Sequence, residues 1–406
     1  MKSRRDLVLV YVAAGLRSAG TGLMGVLLGV HLARAGFSAT RIGLIIAAGL
    51  AGITAATLVL SFGGDRLGRR RTLVIFSALT AVGGMALALT THASVLVPAA
   101  VIGMLNATGT DRSAAFALEQ AVIPGLVPDR SRTWALSGYN VVLDGTGAAG
   151  ALAAALPAVL QQSLGFGIDD GYRLAFAGFA VLNVAAAVIY LFCSDKVEVH
   201  MAGAPAAEVS PQTRGIVAKL AALFALDSLG GGFLTDALVS YWFFQRFGVS
   251  VAKLGVIFAV VHLLNAASHM GAAWLSRRIG LLNTMVFTHL PSSIFLIAVP
   301  FAPTFRWATI FFFLRESLVE MDVPTRQSYV AAVVQPHERT FASAVTNLSR
   351  NVLWAVGSSI AGALMQHVAF SAPLVAGGGL KIIYDGLLYR AFRRVKPAEE
   401  RAIDKE

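Results

Sequence analysis

Apolar runs of roughly twenty residues or more follow one another from end to end of the chain, separated by short polar stretches. A run of that length is enough to cross a bilayer as a helix. The pattern predicts twelve spans, roughly at 7–33, 40–62, 72–92, 94–127, 133–160, 173–193, 215–245, 251–275, 284–302, 307–334, 341–369 and 374–391. The fourth, seventh, tenth and eleventh are long enough to kink or to run past the bilayer. One link is not short. Residues 194–214 hold Asp195, Lys196, Glu198, Pro205, Glu208 and Pro211, a linker composition, and fall near the middle of the chain. The expected organisation is a six-span half at 1–193, a cytoplasmic linker at 194–214, a second six-span half at 215–391 and a polar cytoplasmic tail at 392–406. The first apolar run, entered through Met1-Lys2-Ser3-Arg4-Arg5, continues past Val30 with no small-residue cleavage site, so it reads as a span and not a signal peptide.

Composition fits an all-α polytopic membrane protein. Of 406 residues, 56% are hydrophobic and 14% charged, where a soluble protein carries about 25% charged residues. A net charge of +11 would suggest nucleic acid as a partner of a soluble chain. Here the basic residues sit between apolar runs, so lipid surface is the expected partner and nucleic acid is not. The single cysteine, Cys193, excludes a disulfide framework or a cysteine-based metal site within one chain. Basic residues crowd one set of loops: Lys2, Arg4 and Arg5; Arg66 and Arg69–Arg71; Arg130 and Arg132; Arg277 and Arg278; and Arg390 to Lys396. The positive-inside rule then places both termini and the linker in the cytoplasm, in a multi-pass protein of the inner membrane.

The halves repeat one another. A shift of 212 residues carries Gly36 onto Gly248, Ser38 onto Ser250, Gly68 onto Gly280 and Thr72 onto Thr284. A shift of 207 carries Gln120 onto Gln327, Arg132 onto Arg339, Thr133 onto Thr340 and Asn140 onto Asn347. Six spans in each copy imply a parallel repeat, two pseudo-symmetric halves about an axis along the membrane normal.

The densest charge lies between spans 2 and 3, in Asp65-Arg66-Leu67-Gly68-Arg69-Arg70-Arg71. A degenerate copy, Ser276-Arg277-Arg278-Ile279-Gly280, lies between spans 8 and 9. On these residues the chain resembles the major facilitator superfamily over its whole length. Ser61 stands where that family's pattern has glycine. The antiporter pattern of span 5 is matched only by Gly138 and Gly147, with Ala151-Leu152 following in place of Gly-Pro. Two further stretches, Asp227 to Phe233 and Met321 to Tyr329, resemble a bacterial subgroup to which no substrate attaches. The resemblance implies a cytoplasmic gate. Asp65 would sit at the start of span 11, near Thr340, and hold the halves together. Arg66 and Arg70 would pair with Asp129 or with Glu338, and Arg132 and Arg339 would flank the same face. The plainer reading of the arginines is that they keep the loop inside.

Ionisable groups inside spans are costly unless paired or hydrated, which makes each a functional candidate. They are Arg17 on span 1; Asp111, Arg112 and Glu119 on span 4; Asp227 and Asp236 on span 7; and Arg315, Glu316, Glu320, Asp322 and Arg326 on span 10, where Gln327 follows. Spans 1, 4, 7 and 10 are equivalent under the repeat, and the resemblance implies that they line a central cavity. Arg112 and Glu119 share a helix face, as do Glu316 and Glu320. Glu119 and Arg326 match under the repeat, which suits an acid–base pair between halves. The structural alternative is that several acids merely neutralise Arg17, Arg315 and Arg326. His262 and His269 share a face of span 8 without a third metal ligand. Asp144 packs among small residues of span 5, with Arg350 as an alternative partner. Tyr241-Trp242-Phe243-Phe244 reads as an interfacial aromatic belt.

A secondary transporter working by alternating access accounts for these features, and proton-coupled efflux of a small molecule is the expected activity. Proton-coupled import or facilitation of a polar solute or metal complex is the alternative. No nucleotide-binding loop, His-Glu-x-x-His or Gly-x-Ser-x-Gly occurs, so an enzyme is not expected. A receptor that kept the transporter fold would want a longer cytoplasmic extension than the polar tail. No cofactor is expected, the coupling ion is a proton, and a monomer is anticipated.

Overall fold

The computed structural model describes residues 2–111, 113–128, 131–198, 209–335 and 338–394, with backbone alone at 2–3, 61–67, 133, 331 and 340. Among the described residues the regular structure is helical throughout. The first three spans are α1 (Lys2–Arg34), α2 (Ala39–Leu67) and α3 (Arg69–Leu89). The fourth is in two pieces, α4 (Ala93–Gly103) and α5 (Ala114–Leu126), and the fifth is α6 (Arg132–Ala153) with α7 (Leu156–Leu164). The sixth is α8 (Ile168–Leu191), after which a turn of 3-10 helix at Asp195–Val197 opens the linker. The seventh is again divided, α9 (Pro211–Gly232) and α10 (Asp236–Phe247). There follow α11 (Val251–Ile279), α12 (Leu281–Ala298), a tenth span split into α13 (Phe305–Val319) and α14 (Asp322–Val333), then α15 (Arg339–His367) and α16 (Ala372–Phe392). Eight stretches among the described residues are long and apolar enough to cross a membrane, two of them running through the breaks in spans 5 and 7.

The long fourth, seventh and tenth spans are broken as their length allowed, the fifth breaks as well, the eleventh runs unbroken as α15, and each break has a local cause. Between α4 and α5 the side chains bond their own backbone and compete with the helix. Asn106 Nδ2 donates to the Thr110 carbonyl at 2.7 Å, while Asn106 Oδ1 accepts from the Thr108 amide at 3.0 Å and hydroxyl at 2.7 Å. The helix restarts at Ser113, whose Oγ accepts from the Phe116 amide at 3.2 Å. Pro157 and Pro324 each crowd the carbonyl four residues earlier, at Ala153 and Glu320, which is where α6 and α13 end. Span 7 breaks after Gly230-Gly231-Gly232, a run that holds a helix poorly.

The chain divides into two compact units. The first comprises Met1–Ala202, Thr235–Leu263 and Ser358–His367, and the second Gly203–Leu234, Leu264–Gly357 and Val368–Glu406. In the first unit α1 is the hub, packed on α6, α8 and α10, while α3 lies along α8. Small residues bring α1 and α6 together: a β-carbon on Gly22 would stand 2.1 Å from the Gly147 carbonyl oxygen, and one on Gly150 1.8 Å from that of Ala19. The Ala237 amide, at the start of α10, donates to the Ala107 carbonyl in the span-4 break at 3.2 Å. In the second unit α12 and α9 both pack on α16, around Phe224, Met285, Tyr329 and Tyr384.

The repeat is visible in the backbone. Gly36 and Gly248 take φ of +82° and +63°, and Gly68 and Gly280 take +81° and +86°, in the region open to glycine. Ser38 and Ser250 each accept a bond from the amide three residues on, at 3.4 Å. Thr72 and Thr284 each donate to the carbonyl of the preceding hinge glycine at 2.8 Å.

Tyr241-Trp242-Phe243 departs from expectation. All three are buried and not interfacial, with the Trp242 ring edge-on to Phe243 and Phe247. Their helix lies against α1, where Gly29 leaves room for the Ala237 carbonyl.

Candidate functional site

Two clusters of buried ionisable side chains stand out, one in each unit. In the first, Arg17 on α1 reaches two acids of span 4. Its Nη2 lies 2.9 Å from Asp111 Oδ2 and 2.6 Å from Glu119 Oε2. Asp111 sits in the break, where Oδ1 also accepts from the Ser113 amide at 3.0 Å. Glu119, on α5, is wholly buried at 0% exposure. Tyr139 of α6 donates to its Oε2 at 2.7 Å, and Tyr190 of α8 donates to its Oε1 at 2.5 Å. Four spans thus converge on one carboxylate. Arg17 Nε and Nη1 are buried without a hydrogen-bond partner. A narrow cavity beside Arg17 and Asp111 is lined also by Thr21, Ser77, Asn106 and Asn183. At about 20 Å³ it holds about one water.

The second cluster is larger. Asp227 on α9 faces four positive or protonatable groups: Lys381 Nζ at 2.7 Å, His289 Nε2 at 3.6 Å, Arg326 Nη1 at 3.6 Å and Arg350 Nη2 at 4.0 Å. Arg326 also pairs with Asp322, one turn earlier on α14. Arg350, on α15, donates to Ser228 Oγ at 3.0 Å. His289 Nδ1 lies 3.0 and 3.1 Å from the two oxygens of Asp385. Lys381 and Asp385 are one turn apart on α16, and both are buried.

The sequence candidates fall into place unevenly. Arg17, Asp111 and Glu119 are brought together, as are Asp227, Asp322 and Arg326. The pairing of Glu119 with Arg326 is replaced by these two separate sets, because each acid finds a base nearer in its own unit. Glu316 is buried and paired with its neighbour Arg315, Glu320 is half-buried, and Gln327 is exposed. Arg112 lies outside the described residues. Asp144 is buried on α6, while Arg350 is committed to Asp227 and Ser228. His262 is buried beside Gly147 in the first unit, and His269 belongs to the second. Among the described residues no three histidine, cysteine or acidic side chains group as a metal site. Sequence reasoning passed over Tyr139, Tyr190, His289, Lys381 and Asp385. The last two carried the usual signal, paired charges inside an apolar run.

At the charged hinge, Arg70 donates to the Cys193 carbonyl at 2.9 Å and lies 3.6 Å from Asp195. Among the described residues Arg70 has these partners, and the expected pairing with Asp129 falls outside them, as do the side chains of Asp65 and Arg66. Glu338 accepts from the Ser210 amide at 2.7 Å and from the Thr213 hydroxyl, which fastens the start of α9. Glu198 does the same for α3, accepting from the Arg69 and Arg70 amides at 2.6 and 3.1 Å. A carboxylate at a helix N-terminus is favoured by the exposed amides and the dipole. Arg132 and Arg339 are exposed, the former 3.4 Å from the Pro124 carbonyl.

Comparison with known proteins gives one family. The sequence matches the model described as Major Facilitator Superfamily over residues 10–317. An uncharacterized membrane protein of Saccharomyces cerevisiae is 25% identical over 417 residues, covering 95% of this chain and 93% of its own. Among solved structures, a mutant of the nucleoside transporter NupG superposes with a TM-score of 0.75 at 11% identity, covering 97% of this chain and 100% of its own. A D-xylose-proton symporter gives 0.73 at 14%, with 96% and 98% covered. A bacterial homolog of the human lysosomal transporter Spinster, inward-facing and occupied, gives 0.72 at 15%, with 95% and 96% covered. At these identities the structural likeness is one of fold.

Proposed function

The chain belongs to the major facilitator superfamily, and on that premise we propose that it exports a small polar solute across the inner membrane in exchange for protons. The observation that carries this reading is the first cluster. One guanidinium is shared by two buried carboxylates, so a proton on Glu119 supplies the missing positive charge. Tyr139 and Tyr190 hold the carboxylate in place whether or not the proton is present. Two six-span halves, joined by the linker at 194–214 and with both termini in the cytoplasm, rock about this region and about the second cluster. Thr21, Ser77, Asn106 and Asn183 beside Arg17 make the surroundings of this cluster polar, which suits a polar cargo. The hinge residues Asp65, Arg66, Arg70, Arg132 and Arg339 serve the cytoplasmic gate.

A second reading, proton-coupled import, draws support from the resemblance to a proton symporter and from the incomplete antiporter pattern on span 5. Both readings meet one experiment. Vesicles carrying the purified protein are loaded with a pH gradient and exposed to pooled nucleosides, sugars, drugs and metal salts. A solute that collapses the gradient with the unmodified protein, and not with Glu119→Gln, supports proton coupling, and the sidedness of the response separates export from import. Solute movement with no proton flux, equal in Glu119→Gln and Asp322→Asn, would sink both readings.

A further inference from the structure

We propose that the chain Asp227–His289–Asp385, with Lys381 bridging it, is a second proton site, built in the second unit around His289. With Asp385 ionised, both of its oxygens, within 3.1 Å of Nδ1, can only accept, so Nδ1 carries the hydrogen. Nε2 then carries the lone pair, with the Lys381 ammonium as its donor. Lys381 Nζ stands 3.4 Å from Nε2, and Asp227 Oδ1 stands 3.6 Å from it. Lys381 meanwhile holds Asp227 at 2.7 Å. A ring oriented by a carboxylate on one nitrogen, with a second carboxylate in reach of the other, is arranged to take up and release a proton.

The remaining charged and titratable groups around the ring are accounted for. From α16 come Lys381, Asp385 and Tyr384, the last with its ring edge-on at 5.8 Å. From α9 comes Asp227. From α14 come Arg326 and Asp322, paired with each other. From α15 comes Arg350, 4.0 Å from Asp227. Along α13, Arg315 and Glu316 pair with one another. Glu320, at the end of α13, adds a further carboxylate beside Arg326, so among the described residues the cluster has no surplus positive charge while the ring is neutral. A proton arriving at Nε2 converts the ring to imidazolium and adds one positive charge. The new Nε2–H donates to Asp227, and Lys381, facing a cation at close range, must yield part of its hold on that carboxylate. When the proton leaves Nε2, Lys381 recovers it. Loading the site therefore redistributes ion pairs among α9, α12, α14, α15 and α16, which is how a proton would act on the packing of this unit. The use of the site in transport rests on the proton-coupled reading above, whereas its existence as a proton site does not.

The test separates the two. The full-length protein, labelled with nitrogen-15 histidine in lipid nanodiscs, is followed by NMR between about pH 5 and 9. One imidazole, absent from the spectrum of His289→Gln, should show the Nδ1–H tautomer at high pH and both nitrogens protonated at low pH. If His289→Gln does not fold, Tyr384→Leu assigns the resonance through the ring-current change. A ring that keeps one protonation state across the range, or shows the Nε2–H tautomer, overturns the proposal. In the vesicle assay with adenosine and D-xylose as probes, His289→Gln should lower the protons moved per solute at least twofold. His269→Gln, outside the network, should not. A titrating His289 with no coupled flux of any pooled solute in the unmodified protein leaves the proton site standing and removes its role in transport. Coupled flux at full ratio in His289→Gln removes that role alone.

Discussion

One guanidinium serves two carboxylates in the first unit, whereas in the second unit three cations and an imidazole serve three carboxylates. Among the described residues the first cluster is small and depends on Arg17. The second is redundant, since Asp227 alone has four positive or protonatable neighbours. Buried ion pairs break even only when every partner is present. The two units therefore solve the same problem of charge in a membrane with opposite tolerance to loss.

Substitution of the single cation should show the largest difference. Arg17→Ala leaves two buried carboxylates unpaired and should cost ~3–5 kcal/mol, read as lost yield and a lower melting temperature. Adding Glu119→Gln and Asp111→Asn to it should restore most of that loss. Lys381→Gln should cost less, because Arg326, Arg350 and His289 remain beside Asp227. Equal losses would erase the distinction between the clusters. Next in size come the tyrosines. Tyr190→Phe removes a bond to Glu119 and should cost about 1 kcal/mol, while Tyr384→Phe, whose buried hydroxyl has no partner, should be neutral or stabilising in the same melting assay. The smallest effect concerns Cys193. Burial, with Asp6 nearby, pushes its thiol up to about 11. At about pH 7.5 only on the order of one thiol in several thousand is ionised. Maleimide should leave the unmodified protein unlabelled, so that Ser77→Cys and Ser293→Cys can report water access to each cluster without background. Rapid labelling of Cys193 itself would remove that comparison.

Hydropathy made the spans legible, and the cost of charge in lipid marked Arg17, Asp111, Glu119, Asp227, Asp322 and Arg326. The pairings were not legible, because a partner on another span leaves no trace in spacing. Glu119 and Arg326 coincide under the repeat, yet each is satisfied inside its own unit. Lys381 and Asp385 were as visible as any other buried charge and were missed through attention to spans 1, 4, 7 and 10. His289 gave little away, since a lone histidine in an apolar run gains meaning only from the carboxylates that flank it in space. The break in span 4 was written in Asn106, Thr108, Gly109 and Asp111, but an average over an apolar window hides so short a stretch.

The twin glycines, Gly36 with Gly248 and Gly68 with Gly280, mark the corners of the repeat. Leaving glycine at such a left-handed position costs roughly 1–2 kcal/mol for any other residue, so drift is slow there. Charged side chains inside the spans are free to migrate so long as each keeps a partner. The two halves accordingly agree at their corners and differ in their buried charges. The corners are the part of the repeat least open to substitution.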